Sequence, residues 1–300
     1  TRVSGSDGHT IEMQSGNTYR MRLNGSRIEH FTHGQVNPFG STFDEMGNLF
    51  TADCHSKPIY QILRGGYYPS FGKPHDGLGF VKPMMEHLHG STAIAGLAVV
   101  SGDQFPAEYQ GNFLSGNVMT SRLNRNTPVY HGSTIIAQEE PDFLSSTDPW
   151  FRPVDIQIGP DGALYAADFY NKIIGHYEVP LDHPGRDRHR GRIWRIVVTG
   201  KEHLLKDYTK LSIPDLIAEL GSTNLTTRML ITDYLTDQFG DEVIAPLQQA
   251  VVDARQPTIV VHAMWVLFRR GALTDELLQQ GLQSQDDLVR IHTAKMLAEK

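Results

Sequence analysis

The chain has almost no cysteine. Cys54 stands alone among 300 residues, which excludes an internal disulfide, a four-cysteine zinc site and the C-x-x-C-H attachment of a c-type haem. Long apolar runs are missing too. The best, Ile94 to Val100, is about a third of the roughly 20 residues a membrane-spanning helix needs. Nor is there an excess of positive charge: the formal net charge is −7, against a nucleic-acid binder that works by neutralising phosphates. Thr1 is not an initiator Met and no basic-then-apolar leader follows it, which suits a processed or cut chain. What remains, 39% hydrophobic and 20% charged residues, can bury a substantial core, as one large domain or two ordinary ones.

Composition divides the chain near residue 210. Glycine, proline and aromatics recur before it, with 12 of the 14 histidines; Leu, Ile, Val, Ala and Gln dominate after it. The predicted organisation is a β region over 1–200, a linker over 201–210 and a helical region over 211–300.

The first region repeats itself. Asn37-Pro-Phe-Gly-Ser-Thr-Phe-Asp-Glu-Met-Gly-Asn-Leu-Phe-Thr-Ala-Asp53 aligns without a gap on Arg152-Pro-Val-Asp-Ile-Gln-Ile-Gly-Pro-Asp-Gly-Ala-Leu-Tyr-Ala-Ala-Asp168, and Gly96 to Asn117 is a weaker third copy. Each unit reads as strand, glycine turn, strand and a third strand such as Tyr60-Gln-Ile-Leu or Ile193-Trp-Arg-Ile. Such units at a period of about 40–60 residues are the signature of propeller blades; a β-sandwich is the alternative. Thr18–Leu23 and Arg27–Phe31 resemble the end of a preceding blade. The expectation is a partial β-propeller of about three to four blades, with further blades supplied from outside this chain.

After residue 210 the period changes. Ile213, Leu216, Ile217 and Leu220 fall at i, i+3, i+4 and i+7, the stripe of an amphipathic helix. Arg228, Val260 and Arg290 are each followed seven residues on by a leucine, Leu235, Leu267 and Leu297. These three leucines are expected as buried equivalents in an all-α HEAT-like helical repeat, with a plain helical bundle as the alternative.

Histidine carries the chemistry. His87 and His89 stand two apart on an extended segment, so both imidazoles face one way, as metal ligands or as a base with its partner; the bland alternative is a polar rim loop. Asp53 and Asp168 occupy matching places and are expected to accept backbone N–H bonds. Cys54 beside His55 is a weak nucleophile candidate, with no orienting residue. Arg152, Asn37 and His89 stand at the start of innermost strands, where propellers line a channel that can hold oxyanions or sugar hydroxyls. Arg186, Arg188, His189, Arg190 and Arg192 crowd seven positions, an anion site or a solvated basic loop. Metal-dependent hydrolysis or lyase chemistry at His87 and His89 is a third reading.

Phe105-Pro-Ala-Glu-Tyr-Gln-Gly-Asn, Asp148-Pro-Trp-Phe-Arg-Pro-Val-Asp, Gly159-Pro-Asp-Gly-Ala-Leu-Tyr-Ala-Ala-Asp-Phe-Tyr-Asn and Arg186-Asp-Arg-His-Arg-Gly-Arg-Ile-Trp-Arg together resemble the PVC-type membrane-bound, haem-associated dehydrogenase propellers. They resemble more distantly the soluble glucose/sorbosone quinoprotein dehydrogenases. The resemblance covers about residues 15–198. It implies an exported bacterial protein, periplasmic or extracellular, oxidising a sugar-type alcohol with pyrroloquinoline quinone (PQQ) and calcium. Electrons would pass to a c-type haem domain or cytochrome outside this chain. On this resemblance His89 would be the base and Arg152 would hold the quinone carboxylates. Arg186, His189 and Arg192 are the further cofactor-binding candidates, and His87 with His89 the metal candidates. The alternative is a non-catalytic module binding carbohydrate or protein.

Overall fold

The computed structural model describes residues 1–14, 16–71, 79–91, 93–175 and 179–300. The turn glycines of the repeat adopt the left-handed conformation, with φ of +70° at Gly47, +73° at Gly111 and +75° at Gly162, open to glycine because it has no Cβ. Strands flank each of them. Two small antiparallel pairs come first: β1 (Arg2–Ser4) with β2 (Thr10–Glu12), and β3 (Thr18–Arg20) with β4 (Glu29–Thr32). Three sheets follow, each antiparallel and in chain order. They are β5 (Pro38–Phe43), β6 (Leu49–Asp53) and β7 (Tyr60–Ile62); then β8 (Ile94–Val99), β9 (Phe113–Asn117), β10 (Arg122–His131) and β11 (Thr134–Ser145); then β12 (Pro153–Ile158), β13 (Leu164–Asp168) and β14 (Arg192–Ile196).

The sheets lie side by side with their first strands β5, β8 and β12 in successive contact. Glycine permits that approach. A Cβ at Gly40 would lie 2.7 Å from the Leu97 N, and one at Gly96 2.5 Å from the Asp155 Cα. Apolar faces close the gaps between sheets: Phe50, Ile94, Leu97 and Phe113 between the first two, Leu114, Leu123, Ile156 and Leu164 between the second and third. Three open sheets thus stand side by side, as blades do in a propeller. The expected end of a preceding blade is the two-stranded β3–β4 sheet.

Six helices follow: α1 (Ile213–Glu219), α2 (Leu225–Asp237), α3 (Ile244–Asp253), α4 (Pro257–Arg269), α5 (Asp275–Leu282) and α6 (Asp287–Glu299). Ser212, Asn224, Thr274 and Asp286 cap four of them through side-chain oxygens, satisfying first-turn N–H groups. Helices α2, α4 and α6 contact one another in turn. Leu235 and Leu267 are fully buried in one core, and Trp265 packs against it. Leu297 departs from expectation at 40% exposed. The buried face of α6 is Val289, His292, Thr293 and Met296, so Met296 takes the core place one residue earlier.

The helices dock on one end of the blades. Asn224 Nδ2 donates to the Gly159 carbonyl at 2.8 Å and Thr226 Oγ1 to that of Ile158 at 2.8 Å. At the β5–β6 turn, Arg228 pairs with Glu45 at 2.8 Å, His292 Nε2 meets the Glu45 carbonyl at 2.9 Å, and Lys295 donates to that of Gly47 at 2.7 Å. The opposite end, where the first strands begin, carries the sequence-predicted site residues.

Candidate functional site

At that end each blade is closed by one carboxylate or amide. Asp53 Oδ1 accepts from the Asn37 N at 3.0 Å and the His55 N at 3.1 Å; Asp168 Oδ1 accepts from the Arg152 N at 2.9 Å and the Tyr170 N at 2.8 Å. The two blades use the same offsets, sixteen residues back and two forward. In the middle blade Asn117 stands there, its Oδ1 accepting from the Thr120 N at 3.2 Å and its Nδ2 donating to the His89 carbonyl at 3.3 Å. All three are buried and serve the fold. Burial raises the pKa of the neighbouring Cys54 thiol, which leaves it a poor nucleophile near neutral pH.

His87 and His89 do come together, with ring centroids 4.6 Å apart and planes at 84°. Their partners were not readable from the sequence. Asn126 on β10 bridges them: Nδ2 lies 3.0 Å from His87 Nε2 and Oδ1 lies 2.8 Å from His89 Nε2. His89 Nδ1 faces Glu139 Oε1 on β11 at 3.2 Å. The His89 side chain is only 2% exposed and points at the two outer strands. Burial, and then the neighbouring His89, lower the pKa of His87.

Arg152 stands elsewhere. Its Nε donates to the Asn171 carbonyl at 2.8 Å, Nη1 to that of Val118 at 2.7 Å, and Nη2 to that of Lys172 at 3.2 Å. The guanidinium ties the β9–β10 turn to the segment after β13. In this arrangement the Arg152 guanidinium is taken up by backbone carbonyls, and the His89 side chain faces Asn126 and Glu139. Arg186 is similarly engaged, donating to the Gly175, Val179 and Pro180 carbonyls.

The basic run yields a different cluster. Arg192 lies 3.5 Å from the centroid of the Tyr170 ring; Arg190 lies 5.5 Å from that of Trp150 and 5.7 Å from that of Tyr170. Asp187 fixes the loop by accepting from the His189 N at 2.7 Å and from Arg190 Nε at 2.5 Å. The His189 N–H first, and then Arg190, hold its carboxyl down to about 2. His189 contributes its backbone there and is exposed. The outcome is two guanidiniums on an aromatic floor at the rim of the third blade. Trp150 and Tyr170 were visible in the sequence only as motif members.

The sequence profile of a domain of unknown function, DUF7133, matches residues 2–200. The chain belongs to this family. Among solved structures, a glucose dehydrogenase is 16% identical at a TM-score of 0.43, over 65% of this chain and 63% of that one. The PQQ-bound aldose sugar dehydrogenase of Streptomyces coelicolor is 18% identical at 0.43, over 66% and 61%. The soluble aldose sugar dehydrogenase of Escherichia coli is 21% identical at 0.37, over 52% and 48%. This DUF7133 chain thus spans about half to three fifths of their length, and likeness this loose decides neither fold nor chemistry. No curated protein matches it. No helix among the described residues is long and apolar enough to cross a membrane.

Proposed function

We propose that this chain is part of an exported, quinoprotein-type propeller dehydrogenase that oxidises a sugar-type alcohol. In this reading it supplies the rim that grips an anionic planar cofactor. The supporting observation is the pairing of Arg190 and Arg192 over the rings of Trp150 and Tyr170. Guanidiniums bind carboxylates through paired hydrogen bonds, and aromatic faces accept a flat ring. PQQ, a planar quinone bearing carboxylates, matches that chemistry, and bound there it would accept the hydride of a sugar alcohol. Arg190, Arg192, Trp150 and Tyr170 would hold it; Arg152 and Arg186 would keep the surrounding loops in place. The helices would form a HEAT-type stack behind the blades. A haem domain or cytochrome elsewhere would take the electrons.

Calcium takes six to eight oxygen ligands, backbone carbonyls among them; the cluster of His87, His89 and Glu139 offers one carboxylate and is no such cage.

The test is binding of PQQ itself to the purified chain, followed by quenching of tryptophan fluorescence. Saturable binding, weakened at least tenfold in both Arg192→Ala and Arg190→Ala, is expected. Absence of saturable binding, or unchanged affinity in both variants, overturns the reading. Specific retention of a glycan in that case would point to a carbohydrate-binding module, for which the same aromatic floor is suited.

A further inference from the structure

The contact between His89 and Glu139 contains a conflict of lone pairs. Asn126 settles which ring nitrogen of His89 carries hydrogen. Its Nδ2 also lies 3.3 Å from the Gln138 carbonyl, a position only a donor fits, so its Oδ1 is the atom facing His89 Nε2. Nε2 is therefore the protonated nitrogen. The Nδ1 lone pair of a neutral His89 then points at a carboxylate oxygen 3.2 Å away. Two acceptors that close are held together when a cation bridges their lone pairs, as a metal ion coordinated by both does.

The surroundings favour an ion. His89 has a left-handed backbone, φ +51°, uncommon for a residue with a Cβ and worth on the order of 1 kcal/mol of strain. That conformation sets its ring against Asn126 and Glu139. His87 supplies a second imidazole, its Nε2 lone pair already aimed into the cluster at Asn126 Nδ2. The ligand atoms of His87, His89 and Glu139 all lie within 4.8 Å of one another. Tetrahedral zinc with bonds of about 2.0–2.2 Å needs separations of about 3.4 Å, so side-chain rotations alone close the site. The bond from His89 Nε2 to Asn126 is the outer support that ligating histidines ordinarily have. Glu139 is 53% exposed, leaving a path from solvent.

We propose that His87, His89 and Glu139 form a binding site for a divalent ion of the zinc class, pinning the segment before β8 to the outer hairpin β10–β11. Two imidazoles and one carboxylate select borderline ions over calcium or magnesium. On binding, His89 Nδ1 and Glu139 Oε1 become ligands, and His87 Nε2 gives up its Asn126 donor for the metal. The site is independent of the quinone reading and uses none of its residues.

The test is calorimetric titration of the chelator-treated full chain with zinc chloride. One zinc per chain is expected, with calcium chloride giving no such binding. Glu139→Gln, at a half-exposed position that preserves the fold, should weaken the zinc affinity at least tenfold. Asn126→Ala, which removes only support, should weaken it by about 10–100-fold. Thermal melts of the metal-free variants establish that each is folded. Lack of stoichiometric zinc binding in the wild-type chain overturns the proposal, as does wild-type affinity in Glu139→Gln and His87→Ala together.

Discussion

Asp168 illustrates what a repeat makes legible at the scale of a residue. Its match to Asp53 across an ungapped alignment predicted a backbone-bonding role, because a repeat copies local geometry. Both carboxylates do accept N–H groups from the same relative positions. Asp168 also accepts from Trp194 Nε1 at 3.1 Å. Losing a buried acceptor of several N–H groups leaves them desolvated, so Asp168→Ala should cost about 3 kcal/mol. Asp168→Asn should cost clearly less, since Asn117 fills the same place in the middle blade. Urea denaturation of the two variants checks this, and equal losses would show that charge, rather than an acceptor atom, is what the position needs. Arg152 shows what the same alignment leaves out. Aligning Arg152 with Asn37 locates its backbone, but the carbonyls that hold its guanidinium come from Val118, Asn171 and Lys172. Partners that distant leave no mark on local spacing.

Elements were legible where a period covered them. The glycine turns and the helical stripe identified the blades and the helices, since alternation and the 3.6-residue period follow directly from which face is buried. The long hairpin β10–β11 was not anticipated, and it supplies Asn126 and Glu139, the residues that give the histidine pair its surroundings. Its strands carry many polar residues and end partly in solvent, so no apolar rhythm announces them. The helical repeat erred at its last copy in the same way. A seven-residue offset places Leu297 beside Leu267 by sequence, yet α6 turns its Met296 inward. Leu267→Ala should therefore cost about 2–5 kcal/mol, whereas Leu297→Ala at a 40% exposed position should stay below about 1 kcal/mol. Parallel melts of the two variants would expose a misassigned face if their order were reversed.

At the scale of the whole molecule, composition separated sheets from helices but could not say which end of the blades the helices cover. That is decided by a few polar side chains; His292 is one of them, and His262 supports another, Arg228. His262 accepts from Arg228 Nε at 3.2 Å, and its Nδ1 lies 2.8 Å from Thr232 Oγ1, which itself donates to the Arg228 carbonyl. His262 must therefore be neutral with Nδ1 protonated. Burial first, then the charge of Arg228, push its pKa down to about 3. His292 accepts from Trp265 Nε1 at 3.0 Å and donates to the Glu45 carbonyl, and burial lowers its pKa as well. The sign follows from which state holds more protons. Below pH 6.5 the unfolded chain takes up protons that the folded chain refuses, so stability is complete above pH 6.5 and falls as the solution is acidified. Each such histidine contributes up to about 1.4 kcal/mol per pH unit until its folded pKa is passed. Between pH 6.5 and 5 ordinary carboxylates are still ionised in both states, so the loss in that window belongs chiefly to the histidines. Urea midpoints of the full chain should drop from pH 7.5 to pH 5, and the drop should shrink in His262→Gln, which keeps polar atoms near Arg228 and Thr232 without titrating. A drop of unchanged size in His262→Gln would mean that the junction between blades and helices does not set the acid limit of this protein.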